Sequence, residues 1–348
     1  MQSNNTSYLA RLDSLRFMAA SMVLMFHATV PQIVTLDINN PLLIWVQEGH
    51  RGVNLFFALS GFLFALIAGR EKRINYKYFI FNRFLRIFPL LIFVFLITAA
   101  IYRTEWHSEQ FLGLFFLQFY LAEFQNVPTL GVTWTISIEF IFYLLFPFLH
   151  VFANKYGERY LLGLISLFMI MRVLSFPLTH DELSYFFSLL GRFDILLVGM
   201  LAGRYYLKRS TLFANYYALP LSLLLLTGYF LILADIPHRL PYLTLYPPIE
   251  ALLWCSLVIA TLNSKIAIPV LESVTAKLGS ISYSMYLLHP FIILNCQKLM
   301  LVEHPLFNQL LVGACLMLPL TIALSFLSFY VIEKPFMAYR VRYFDDGK

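Results

Sequence analysis

The chain has 348 residues, 60% hydrophobic and 13% charged, with a net charge of +6 and a mean hydropathy of +0.73. Soluble domains carry about 25% charge and about 45–50% apolar residues, and packing this much apolar surface into one core leaves too little polar surface to cover it. A soluble enzyme, a disordered chain and a nucleic-acid-binding module are therefore excluded. The positive charge lies between apolar runs, as it does where Lys and Arg gather on one side of a membrane.

The expected fold is an all-α polytopic integral membrane protein. A spanning helix needs about 20 mostly apolar residues. Ten runs qualify, at 15–33, 51–69, 87–103, 134–153, 160–178, 188–206, 213–233, 248–263, 283–302 and 308–331. The first, flanked by Arg11 and Arg16, lacks a small-residue cleavage signature and reads as a retained span. An eleventh stretch, Phe111–Phe124, has 14 residues and suits a re-entrant or interfacial segment better than a span. With that stretch not crossing, 19 of the 25 basic residues fall on one side, which puts both termini in the cytoplasm. The chain reads as one membrane domain over 1–348 with no appended soluble domain. Cys255, Cys296 and Cys315 all lie in apolar runs and read as packing residues, so no metal site is expected.

Ionisable residues inside spans are costly and point to function. By depth they sort into two zones. The outer zone holds His27, Arg51, Glu139, Arg172, Arg192 and Asp194; the inner zone holds Arg16, Arg83, Arg86, His289 and Glu333. Arg-rich zones suit phosphate groups. Arg192 and Asp194 stand two apart on a helix, so each needs a partner elsewhere. A protein taking an anionic donor from the cytoplasm and acting on an acceptor outside needs this layout.

A series of motifs then appears in order: LDSLRFMAASMVLMFHA, carrying Arg16 and His27; GVNLFFALSGFL (52–63); NRFLRIFP (82–89); WTISIEFIFYLLFP (134–147); DILLVGMLAG (194–203); ISYSMYLLHPF (281–291); and EKPF (333–336). Taken together they resemble the membrane-bound acyltransferase family 3 over nearly the whole chain. One departure is Asn54, where that family usually has an acidic residue. The resemblance implies transfer of an acyl group, usually acetyl, from cytoplasmic acyl-CoA to a hydroxyl of an extracytoplasmic glycan or glycolipid. It also implies a bacterial inner-membrane location, with membrane lipid around the spans. Acetyl-CoA is then a donor substrate and no bound cofactor is expected.

Within that reaction His27 is the candidate base or acyl carrier, and Glu139 the carboxylate that orients it. Arg16 precedes His27 by about 16 Å of helix, the sense expected of a donor whose phosphates stay near the inner face. Arg16, Arg83 and Arg86 would hold those phosphates, with Ser282, Tyr283, Ser284 and His289 lining the same channel. Arg51, Asn54, Arg172, Arg192 and Asp194 would face the acceptor. The same two Arg zones also fit a carrier or flippase for an anionic glycolipid, which would consume no thioester. A scaffold subunit would leave His27 and Glu139 unexplained.

Overall fold

The structure is a computed structural model and describes residues 9–33, 40–41, 43–69, 74–103, 127–179, 187–211, 214–234, 245–266, 268–296 and 305–343. It is all-helical; no strand occurs among the described residues. The helices are α1 (Ala10–Ile33), the short α2 (Ile44–Gln47), α3 (Gly52–Ala68), α4 (Tyr76–Ile101), α5 (Trp134–Tyr156), α6 (Glu158–Thr179), α7 (Leu189–Lys208), α8 (Ala218–Ala234), α9 (Tyr246–Asn263), α10 (Pro269–Ser280) and α11 (Ser282–Cys296). The last rod joins α12 (Pro305–Val312), α13 (Leu318–Ser328) and α14 (Lys334–Met337) through π-helical turns at Gly313–Met317 and Phe329–Glu333.

Four helices are long and apolar enough to cross a membrane: Gly49–Ala68, Tyr76–Ile101, Trp134–Tyr156 and Asn308–Met337. They match four of the ten expected spans, and the third expected span begins earlier than read, at Tyr76. Ten crossings are not what length and apolarity show among the described residues: α8 has 17 residues and α11 only 15. The 111–124 stretch lies outside the described residues.

The centre of the bundle is α3, packed against α1, α5, α7 and α9. Lipid offers apolar side chains no reason to associate, so helices in membranes meet where small residues let backbones approach. A Cβ added at Gly61 of α3 would lie 2.0 Å from the Leu196 carbonyl oxygen of α7. One at Gly199 would lie 2.3 Å from the Ala58 carbonyl oxygen, and one at Gly203 2.5 Å from that of Phe62. The two backbones touch along this line. Gly279, at the end of α10, sits equally tightly against Asp13 of α1. At the periphery, Leu320, Leu327, Tyr330 and Val331 of the last rod are exposed, as lipid contact requires.

Local chemistry sets the breaks. Asn75 caps α4 by accepting from the Tyr78 amide at 3.2 Å, and Ser188 caps α7 by accepting from Gly191 at 3.1 Å. Gly157, with φ of +75°, turns the chain between α5 and α6 in a conformation that favours glycine. The π turn at Phe329–Glu333 faces Glu333 inward, fully buried, while Tyr330 and Val331 point out. Beyond α14 the chain returns to α4. The Asn82 amide donates to the Val341 carbonyl at 2.7 Å and accepts from its N–H at 3.0 Å, the Asn75 N–H donates to the Tyr343 carbonyl at 2.8 Å, and the buried Tyr343 ring meets Phe79 edge-on.

Gly199→Leu is expected to separate α3 from α7, since overpacking a tight contact costs about 1–3 kcal/mol or more. It should lower the yield and melting temperature of detergent-solubilised protein. Gly228→Ala, where an added Cβ meets nothing within 4 Å, should leave both unchanged.

Candidate functional site

A cavity of about 390 Å³ opens between α1, α3, α4, α5, α10 and α11. Five cations line it: Arg16 from α1, Arg83 and Arg86 from α4, Lys277 from α10, and Arg340 from the segment after α14. Ser60, Glu139, Tyr143, Ser282 and Tyr283 share the wall. Ser60 donates to Glu139 at 2.5 Å, and the Tyr143 hydroxyl donates to the same carboxylate oxygen.

Tyr286 belongs to this wall too, and Val132 and Thr135 anchor it. The Thr135 hydroxyl donates to the Tyr286 oxygen at 3.1 Å, which donates in turn to the Val132 carbonyl at 3.0 Å. Its ring centroid is 5.9 Å from that of His289. Behind it His289 Nε2 lies 3.0 Å from His27 Nδ1, with the imidazole rings 20° from coplanar.

The hydrogen bonds of this pair fix its tautomers. His289 Nδ1 lies 2.8 Å from the Tyr286 carbonyl oxygen, which only accepts, so this nitrogen carries the proton. In a neutral pair His289 Nε2 is then the acceptor and His27 Nδ1 the donor. The lone pair of His27 is left on Nε2. A proton taken there leaves the imidazolium hydrogen-bonded through Nδ1 to His289.

A second polar cluster crosses α3, α7 and α9. Glu250 of α9 is its hub: it accepts from Arg51 Nη1 at 2.6 Å, from Asn54 Nδ2 at 2.8 Å and from Trp254 Nε1 at 3.0 Å. Arg51 also pairs with Glu48 at 2.5 Å. Arg192 donates to the Asn54 oxygen at 3.0 Å. Beside it Arg172 of α6 and Asp194 of α7 form an ion pair in which both side chains are at most 4% exposed, and Arg172 Nε donates to the Leu190 carbonyl at 3.1 Å.

The structure brings together Arg16, Arg83, Arg86, Ser282 and Tyr283 around the cavity, and Arg51, Asn54 and Arg192 in the second cluster. Asn54 uses both ends of its amide, donating to Glu250 and accepting from Arg192, so the charge at this place comes from Glu250.

Five expectations change. His27 and His289, assigned to opposite zones by depth, are in contact. Counting residues along each helix gave no information on which helices lie side by side, and α11 packs against α1 so that the two rings meet. Glu139 does not orient His27; its hydrogen bonds go to Ser60 and Tyr143, on the side of the cavity that Arg83 also lines. Arg86 pairs with Glu333 at 2.8 Å and donates to the Ser280 carbonyl at 3.3 Å, and Ser284 bonds Glu333, so this trio ties α4 and α11 to the last rod. Tyr283 spends its hydroxyl on the Ile87 carbonyl at 2.7 Å. Arg16 faces the cavity but pairs with Asp13 at 2.6 Å.

Sequence reading missed Glu250, Glu48, Lys277, Arg340 and Tyr286. Glu250 was findable, since it is a carboxylate inside an expected span. Arg340 and Lys277 were counted only as inside charges. Among the described residues no three His, Cys, Asp or Glu side chains converge as metal ligands.

The acyltransferase domain family matches residues 9–330. The chain belongs to the acyltransferase 3 family. The peptidoglycan O-acetyltransferase OatA of Listeria monocytogenes is 28% identical over 218 residues, 54% of this chain and 33% of OatA. The O-acetyltransferase OatA of Staphylococcus aureus is 28% identical over 55% of the chain and 34% of its own length. The chain thus spans about a third of the length of these two relatives. A putative acetyltransferase, ORF330 of Acidianus two-tailed virus, is 28% identical over 83% of the chain and 84% of its own length. No solved structure matches the chain. The matching model is that of an acyltransferase domain, and the apolar helices make this a membrane protein.

Arg172→Met leaves Asp194 as a buried carboxylate stripped of its ion pair, a change that typically costs about 3–5 kcal/mol. The expected result is a sharply lower melting temperature, with recovery of much of the loss in Arg172→Met/Asp194→Leu. Equal melting of the single and double variants would mean that the loss comes from Arg172's other contacts and not from the orphaned Asp194 carboxylate.

Proposed function

We propose that the protein is a membrane-bound O-acetyltransferase that moves an acetyl group from cytoplasmic acetyl-CoA to a hydroxyl of an extracytoplasmic glycan or glycolipid. The observation that carries this reading is the cation-lined cavity whose wall, at Tyr286, abuts the His27–His289 pair. Family membership supplies the reaction class, and the O-acetyltransferase names of the relatives point to a hydroxyl acceptor on a polysaccharide.

The donor's phosphates sit among the cations and its pantetheine arm runs along α1 toward His27, about 16 Å of helix from Arg16. A sugar hydroxyl is a weak nucleophile at neutral pH. Its proton passes to His27 Nε2 as its oxygen attacks the thioester carbonyl. The C–O ester bond forms, the C–S bond breaks, and the proton leaves with the CoA thiolate. His289 is a positioning residue: it fixes the tautomer of His27 and accepts from the imidazolium, the part that a carboxylate plays in a triad. The Glu250 cluster, with Arg51, Asn54 and Arg192, faces the acceptor. This reading places the protein in the bacterial inner membrane as a multi-pass chain, both termini cytoplasmic, as the inside excess of Lys and Arg requires.

The test is acetyl transfer per molecule of inserted protein, with acetyl-CoA binding measured separately. His27→Ala and His27→Gln should both lose about 10²–10⁴-fold in rate, the usual worth of a general base, and still bind donor. His289→Gln keeps an oxygen that can accept from His27 Nδ1, so it should retain more activity than His289→Leu. A fully active His27→Gln enzyme would move the chemistry elsewhere. Transport of a glycolipid without thioester consumption would replace the enzyme reading altogether.

A further inference from the structure

The five cations of the cavity are not equivalent. Arg16 is matched by Asp13 and Arg86 by Glu333. Arg83 and Arg340 have no carboxylate partner among the described residues, and the Nε of each is buried without a hydrogen-bond acceptor. Arg83 lies over aromatic faces, with its guanidinium carbon 5.2 Å from the Phe64 ring centroid and 5.9 Å from that of Tyr143. Arg340 is held near it by the return of the chain onto α4, through the paired Asn82–Val341 hydrogen bonds and the buried Tyr343. Burial and then the like charges of Arg83 and Arg86 push the Arg340 guanidinium below its ordinary value. The fold thus fixes converging positive charges and leaves two of them unmatched at one cavity. A doubly charged anion would relieve that repulsion, and planar guanidiniums suit phosphate oxygens in bidentate geometry.

We propose that Arg83 and Arg340 form the seat of a phosphate monoester, the ribose 3′-phosphate of the donor, with Lys277 beside them. The inference rests on the acyl-CoA reading above and adds to it the residue that selects the nucleotide end. Arg340 follows the last helix of the bundle, so the anion it holds lies toward the cytoplasm, with the thioester end running inward to His27. In CoA the 3′-phosphate is the monoester, and it stands far from the thioester. The segment that follows the rod therefore takes part in donor recognition.

The test compares CoA with 3′-dephospho-CoA on the purified full-length protein in nanodiscs, reading affinity by calorimetry. The wild type should prefer CoA by roughly tenfold or more, the scale of a hydrogen bond between charged groups. Arg340→Gln should lose that preference and bind both weakly and alike, and Arg340→Lys should regain part of it. Melting temperatures without ligand identify any variant that fails to fold; should Arg340→Gln be one, the partial loss in Arg340→Lys carries the test. An Arg340→Gln or Arg340→Lys protein with the full wild-type preference overturns the proposal. So does an Arg340→Gln protein that keeps this preference while losing stabilisation by phosphatidylglycerol, which would assign the seat to a lipid headgroup. A wild type that binds CoA without discriminating overturns the seat alone, whereas one that binds neither form overturns the donor reading as well.

Discussion

An unmatched charge has no place in a lipid-facing bundle, and that constraint orders this structure. Three of the deep cations meet carboxylates: Arg172 meets Asp194, Arg51 meets Glu250 and Glu48, and Arg86 meets Glu333. The partners come from different helices, so every pairing also fixes a helix-to-helix relation. Replacing such pairs by apolar residues often leaves a protein as stable or more so. Their persistence in a medium that penalises them is a sign of use. Arg83 and Arg340, which have no carboxylate partner among the described residues, both line the cavity.

Packing supports the same plan from the apolar side. The glycine line between α3 and α7 brings two backbones into contact, and the side chains just beside that line are polar: Asn54 and Ser60 on α3, Arg192 and Asp194 on α7. Close backbones leave little freedom for these groups, so Asn54 meets Arg192 and Glu250 in one geometry. Ser60 takes Glu139 away from the histidine pair on the next face. One rigid seam therefore separates the Glu250 cluster from the cavity.

Much of this was legible in the residues. The excess of apolar side chains dictated helices, and ionisable residues in apolar runs named most of the cavity's Arg residues, both histidines and the Asn54–Arg192 region. What failed was depth. Counting residues from the edge of an apolar run gives a rise along one helix and says nothing of how that helix tilts or which neighbour it meets, and α11 meets α1. That error separated His27 from His289 and gave Glu139 the wrong neighbour. Asn54 looked like the loss of an acid until Glu250, 196 residues further on, supplied the carboxylate. Arg340 was invisible because a basic residue after the last span satisfies the inside rule whether or not it folds back.

The site is also closed across nearly the whole chain. His27 meets a residue 262 positions later, Arg86 one 247 later, and Asn82 one 259 later. During synthesis the N-terminal helices enter the membrane first, carrying Arg83, Arg86 and His27 before α11 and the last rod exist. Until those arrive, the early helices hold charge with no anion to meet it and a histidine with no set tautomer. A chain that stops before α11 lacks both the His27–His289 pair and the ion pair of Arg86. α11 and the rod that follows are thus the clasp of the bundle, holding from behind what the earlier helices carry in.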